Sequence, residues 1–320
     1  MVTLAVTNTS FWNCTSHNEN FDKYPSIVIS NNEVRMKLYL PDPEKGFYRA
    51  TRFDWSGVIG SVQYKDHEYF GYWKETQDPL FHEDLSGPVE GYIEPGLGYA
   101  DAEPGGKFIR IGVGVLEKAN EAEYNWRKTY KILDHGKWTL DHGKDWLSFE
   151  HEVNSDNGYG YIYGKTIKLK NNGFTIEHNL KNTGLKAIET DQFNHNFFMI
   201  DKKHSGPPFT VTFPYRLSTG SDNKGFLEMK GNDLSFIKEL ANDSSVFLEL
   251  SGYSASIADH QVTVRNPESG AGVTFKVDKP LSRMVFWACE TTLCPENSIW
   301  ISVEPGAEES WTSDYTLFED

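Results

Sequence analysis

The chain has 320 residues, a formal net charge of −15 and an aromatic fraction of 14%. So acidic a surface argues against nucleic acid or an anionic membrane as partner, and it disfavours a phosphorylated substrate unless a local arginine overrides the overall charge. No run approaches the ~20 apolar residues of a membrane span, and the three cysteines (Cys14, Cys289, Cys294) fit neither a disulfide framework nor a zinc site.

Residues 1–24 are polar and aperiodic and read as an N-terminal arm. The opening residues lack the basic flank and apolar run of a secretory signal, so a soluble, cytoplasmic protein with ordinary thiols is expected. From Ser26 the pattern turns to β. Ile27-Val28-Ile29 and Val34-Arg35-Met36-Lys37-Leu38-Tyr39-Leu40 alternate with period two up to Pro41. Residues 47–57 continue as a predicted strand, and Ser61-Val62-Gln63-Tyr64 and Glu68-Tyr69-Phe70-Gly71 flank a Lys65-Asp66 turn. Residues 72–107 form a long irregular piece, and loops of that length inside a compact domain are usually functional.

Strand signals resume at 108–115, and residues 117–128 have the pattern of a short amphipathic helix. Thr166-Ile167-Lys168-Leu169-Lys170 and Phe174-Thr175-Ile176-Glu177-His178-Asn179-Leu180 form a predicted hairpin through Asn171-Asn172-Gly173. Further short strands follow to Phe318. Strand after strand without βαβ alternation predicts an all-β fold, a large antiparallel β-sandwich. No fixed-period repeat supports a propeller, and no Pro/Ser-rich linker divides the chain, so one domain over 25–320 is expected.

Four stretches carry groups suited to chemistry. Thr190-Asp191-Gln192-Phe193-Asn194-His195-Asn196-Phe197-Phe198-Met199-Ile200 places a polar triplet inside an aromatic run. Buried polar groups are costly without partners, so the triplet is either a satisfied structural feature or the floor of a pocket that needs a proton donor. In Arg52-Phe53-Asp54-Trp55 a strand would put Arg52 and Asp54 on one face, as a structural ion pair or a polar clamp. Phe81-His82-Glu83-Asp84 lies in the long loop. Leu293-Cys294-Pro295-Glu296 brings a carboxylate out after an apolar strand, where a surface turn is the plainer reading.

In chain order, from about Ser26 to Phe318, these stretches resemble the galactose mutarotase (aldose 1-epimerase) superfamily, whose fold is a β-supersandwich. Phe193-Asn194-His195-Asn196-Phe197-Phe198 is similar to the family's Asn-His-x-Tyr-Phe-Asn strand, which implies that His195 is the catalytic acid. Thr51-Arg52-Phe53-Asp54-Trp55-Ser56-Gly57 looks like the family's Gly-Arg-Tyr-x-Asn-Arg-Ile segment and implies a sugar-binding Arg52. His82 falls where the family's second histidine lies, although the surrounding Asn-His-x-His-Gly-Gly is absent. Leu293-Cys294-Pro295-Glu296 matches the family's Phe-Cys-Leu-Glu and implies Glu296 as the base. Glu304, beside the Pro305-Gly306 turn, is the runner-up. Asp54, Trp55 and Asn194 complete the implied sugar-binding set, and the family's further sugar-holding aspartate has no match between Tyr215 and Tyr253.

The resemblance implies interconversion of the α and β anomers of a hexose or related sugar. A base takes the proton of the C1 hydroxyl while an acid protonates the ring oxygen, so the ring opens, rotates about C1–C2 and recloses. The mutual field of Glu and His is expected to hold both charged, with His195 protonated near neutral pH. No metal or organic cofactor is needed. The partner implied is a mono- or oligosaccharide. Two alternatives remain open at this point. One is a non-catalytic carbohydrate-binding β-sandwich. The other is a glycoside hydrolase or lyase using two carboxylates from among Asp54, Glu83, Asp84, Asp191 and Glu296.

Overall fold

The structure, a computed structural model, describes residues 21–320. Most of the expected arm lies outside these residues. Of its last four, Phe21 is buried and stacks on Tyr72, with ring centroids 4.0 Å apart.

In chain order the strands are β1 (Ser26–Ser30), β2 (Val34–Tyr39), β3 (Val58–Tyr64), β4 (His67–Phe70), β5 (Val89–Tyr92), β6 (Lys107–Arg110), β7 (Gly114–Glu117) and β8 (Ile132–Asp134). Next come β9 (Lys137–His142), β10 (Trp146–Asn154), β11 (Gly160–Lys170), β12 (Gly173–Asn182), β13 (Ile188–His195), β14 (Thr210–Thr212) and β15 (Leu227–Lys230). The last are β16 (Asp233–Phe236), β17 (Ser245–Leu250), β18 (Gln261–Asn266), β19 (Ala271–Val277), β20 (Arg283–Cys289), β21 (Thr292–Val303) and β22 (Glu308–Glu319). No α-helix occurs among the described residues, only short 3-10 turns.

A ten-stranded antiparallel sheet, ordered β15-β16-β14-β18-β19-β22-β12-β11-β10-β9, forms one layer. The opposing layer combines the sheets β1-β2-β3-β4 and β17-β20-β21-β13-β5, which are stitched together by bridges from Phe198 to Phe70 and to Leu293. Period-two patterning explains the layers. In β10 the side chains of Leu147, Phe149, His151 and Val153 point inward and their neighbours outward. Ile167, Ile176 and Phe275 of the large sheet meet Ile188, Leu248, Phe286 and Ile301 of the other in one fully buried core. Each such side chain contributes about 1.5–3 kcal/mol of burial.

The predicted hairpin is β11–β12, closed by Asn171-Asn172 between the paired Lys170 and Gly173. Glycine is required at that first paired position because a Cβ there would sit 1.9 Å from the Tyr315 carbonyl oxygen.

Three expected elements differ. Residues 47–57 are a buried irregular segment whose backbone bridges a strand at Phe53–Gly91. The expected strand 108–115 is broken into β6 and β7, because Gly112 turns the chain at φ 77°. The expected helix at 117–128 is a loop. Lys128 N–H bonds the Asn125 carbonyl in a turn, and Tyr124 stacks flat on Tyr130 rather than on a helical neighbour. Cys289 and Cys294 are free thiols, and Cys14 lies outside the described residues.

Candidate active site

Alternation along β13 and β21 sorts the polar residues of the central sheet. On β13 the even positions, Gln192 and Asn194, point into the core, and Phe193 and His195 point to the opposite face. On β21 that outer face carries Cys294, Glu296, Ser298 and Trp300. The antiparallel register pairs Phe193 with Ser298, which sets His195 level with Glu296 one strand away. The two side chains meet there, His195 Nε2 lying 3.4 Å from Glu296 Oε1.

Aromatic rings surround the pair. The chain leaves β13 at His195 and enters the left-handed region at Phe197 (φ 46°), which brings the Phe197 ring flat against the imidazole at 3.8 Å. Trp73, from the long loop, stacks on the far side of Phe197, and the edges of Phe53 and Trp287 each come within 5.6 Å of His195. Such walls penalise charge. Burial pushes Glu296 up to about 7, against the attraction of Arg52 and Arg283 and with some help from Glu83. Burial, with Arg52 adding to it, holds His195 well below the ordinary histidine range. The expected standing ion pair is therefore corrected in one respect: the two side chains meet, but desolvation works against the charged form of each. A protonated Glu296 beside a neutral His195 contains the same single proton as a carboxylate beside an imidazolium, so the pair still holds the proton that acid–base chemistry requires.

Arg52 lies between the pair and the long loop. Its guanidinium sits 4.2 Å over the Trp126 ring and 4.7 Å over Phe53, with Glu83 at 3.5 Å and Glu94 at 3.6 Å. His82 joins through Glu83, 3.5 Å away, and meets Trp126 edge to face. Burial pushes Glu83 up, but the hydrogen bond and charge of His82, with Arg52 and Lys74, outweigh it and hold the carboxyl below its ordinary value. Buried Arg110 fixes the backbone, donating to the carbonyls of Arg52 (2.5 Å) and Ile93 (2.7 Å). Arg52 Nε and Glu94 Oε1 face each other as an ion pair too long for a hydrogen bond, while His82 Nδ1 and His195 Nδ1 are buried with no hydrogen-bond partner in the protein. Buried polar atoms are normally satisfied, so the two histidine nitrogens mark this cluster as a candidate ligand site.

Beneath the site runs a network of buried charges. Lys165 Nζ contacts Glu90 Oε2 (2.6 Å), Asp54 Oδ2 (3.2 Å) and the Ser56 carbonyl (2.9 Å). Glu90 Oε1 takes bonds from His178 Nε2 (2.6 Å) and Asn194 Nδ2 (3.3 Å). Tyr315 donates to Asn196 Oδ1, and Asn196 Nδ2 donates to the carbonyl of Pro295, the residue before Glu296. The polar triplet thus divides its work: His195 faces Glu296 and the aromatic rings, while Asn194 and Asn196 anchor its backbone to both neighbouring strands. Opposing charges set the titration of the network. Burial raises Glu90, but His178 and Lys165 outweigh it and bring the carboxyl to about 2.

Of the sequence-predicted residues, the structure brings together His195, Glu296, Arg52 and His82. Asp54 is corrected from a sugar contact to a member of the buried network. Its carboxylate is fully covered, bonded to Ser56 and Lys165, and a Cβ on Gly112 would lie 2.4 Å from its Oδ1. Trp55 is likewise corrected, being buried with its indole N–H bonded to the Ala50 carbonyl, and Asn194 is fully buried on the core side. Glu304 is exposed in the turn beyond β21, eight residues or roughly 26 Å along the strand from Glu296, and stands apart from His195. Glu94 and Trp126 are members of the cluster that the sequence pattern does not mark. Glu94 sits in a Pro/Gly-rich loop, and the apparent helical pattern hid Trp126. Among the described residues no cluster of three or more His, Cys, Asp or Glu side chains could hold a metal ion.

Solved structures share this fold. The Slr1438 protein from Synechocystis sp. PCC 6803 superposes with a TM-score of 0.59 over 97% of this chain and 100% of its own, at 13% identity. A putative aldose 1-epimerase from Escherichia coli K12 gives 0.57 over 92% and 99%, at 12% identity. A galactose mutarotase-like protein from Lactobacillus casei ATCC 334 gives 0.56 over 92% and 100%, at 14% identity. At such identities the likeness defines the fold, and the chain has the galactose mutarotase-like fold. No family model and no curated relative matches the sequence.

Proposed function

We propose that the protein is an aldose 1-epimerase-type catalyst that interconverts the anomers of an uncharged sugar. The fold suggests a sugar function of this kind. The observation that carries the reading is the 3.4 Å approach of His195 Nε2 to Glu296 Oε1 in an aromatic pocket beside Arg52. The Glu296 carboxylate takes the proton of the C1 hydroxyl, and the His195 imidazolium gives a proton to the ring oxygen. The C1–O5 bond breaks to give the open aldehyde, C1–C2 rotates by half a turn, and both proton transfers reverse. Phe53, Phe197 and Trp287 exclude water, while Arg52, Glu94 and the unpaired Nδ1 of His82 offer polar partners to ring hydroxyls. Polarimetry on freshly dissolved α-glucose and α-galactose tests it. Relaxation faster than buffer is expected, and saturable sugar binding without acceleration would instead make this a non-catalytic sugar-binding protein.

A second reading has one observation in its favour. Two carboxylates, Glu296 and Glu83, share Arg52 as a neighbour, with burial pushing Glu296 up and His82 and Arg52 holding Glu83 down, as an acid and a base of glycoside hydrolysis would be divided. Release of reducing ends from an oligosaccharide, lost in both Glu296→Gln and Glu83→Gln, would favour it over epimerisation.

A further inference from the structure

The face that presents His195 and Glu296 does not end at the pocket. Beyond β21 it continues across β20 to the edge strand β17, and there it is open. Cross-strand register places Cys294, Trp287 and Phe247 in one row, and Glu296, Val285 and Glu249 in the next. Trp287 forms the outer wall of the pocket, its ring 5.6 Å from His195 and 6.2 Å from Phe197. Phe247, directly opposite it on β17, is 51% exposed. Neighbouring strands lie ~4.8 Å apart, so Trp287 and Phe247 carry an aromatic track ~10 Å outward from β21. Alongside runs the solvent-facing ion pair Arg283–Glu249, Nε to Oε1 3.1 Å, whose donors and acceptors border the rings without adding net charge.

Resting on the epimerase reading, we infer that the sugar handled here is the reducing-end unit of an oligosaccharide whose preceding residues lie over Trp287 and Phe247. Only the reducing-end ring of a glycan has a free anomeric carbon, so that ring alone can react between His195 and Glu296, and the rest of the chain must leave by the open side. Aromatic rings beside paired charges suit the alternating apolar faces and hydroxyl rims of pyranoses. Trp300 shares this face and is 50% exposed, but it stands four residues from Glu296 along β21, off the track, and serves as an internal control.

The test is equilibrium titration, by tryptophan fluorescence or calorimetry, with glucose, maltose, maltotriose, cellobiose and cellotriose. In wild type one linkage series tightens from mono- to trisaccharide by about tenfold, and Phe247→Ala removes that gain while leaving glucose affinity and Trp300→Ala unchanged. Affinity independent of length, or a Phe247→Ala loss equal for glucose and trisaccharide, overturns the inference. So does sedimentation showing a dimer that Phe247→Ala dissolves, since a second copy would then be the occupant. Anomer exchange on glucose separates the two layers of argument. Exchange with flat length dependence removes only the extended track, and neither exchange nor binding removes the epimerase reading as well.

Discussion

Glu296 is the residue on which the proposed chemistry turns, and its burial makes two measurable predictions. The proposed ring opening needs one proton on the Glu296–His195 pair. With Glu296 at about 7 and His195 well below its ordinary range, kcat/KM for anomer exchange is expected to fall as pH rises through about 7, when that proton is lost. It falls again in acid when a second proton binds, and a profile still rising at pH 9 would contradict this assignment. The same shift enters stability. An unfolded glutamate ionises near 4.5, so between 4.5 and about 7 the folded state holds the extra proton, and stability drains as pH rises through that window. Glu296→Gln removes the burden and is expected to stabilise the protein at pH 8 by on the order of 1–3 kcal/mol, and hardly at pH 4. Thermal melts at the two pH values measure it, and equal effects at both would refute the cause given.

Among the elements, β13 shows how a strand end holds a candidate active-site side chain in place. Its inward Asn194, with Asn196 just beyond its last residue, is held by Glu90 of β5, Tyr315 of β22 and the Pro295 carbonyl of β21, so the outward His195 has little freedom. Lys165 is the keystone of that support. Removing it alone leaves Asp54 buried without a cation and Glu90 with His178 alone, so Lys165→Met is expected to cost roughly 3–5 kcal/mol, seen as a lowered Tm and denaturation midpoint. A near-wild-type midpoint would show the network to be dispensable. The same elements show what the sequence could reveal. The β11–β12 hairpin was readable because its alternation and Asn-Gly chemistry agree, and the Asn-His-Asn triplet was conspicuous because polar side chains interrupt an aromatic run. Arg52-Phe53-Asp54-Trp55 misled as a strand because a buried irregular segment is as apolar as a strand. Its true roles depend on Lys165, Glu90 and Arg110, all distant in sequence. Glu94 and Trp126 acquire meaning only where two loops meet over Arg52.

For the whole molecule, a net charge of −15 surrounds a site whose guanidinium is flanked by two carboxylates. An uncharged sugar feels no steering from that field, so kcat/KM is expected to stay flat from low salt to about 0.5 M, whereas a phosphorylated sugar would show steep ionic-strength dependence. A strong salt dependence with glucose would contradict a neutral-sugar site. The fold, with two large sheets around one aromatic-rich core, follows from strand patterning along most of the chain. The proposed chemistry rests on two residues from adjacent strands, His195 and Glu296, made neighbours by register. The most direct test is two-dimensional exchange NMR on equilibrated glucose and galactose with wild type, His195→Ala and Glu296→Gln. Cross-peaks between α and β anomers that wild type creates and both substitutions abolish, with each variant still folded by its melt, are the predicted result. Undiminished exchange in either variant would contradict the account.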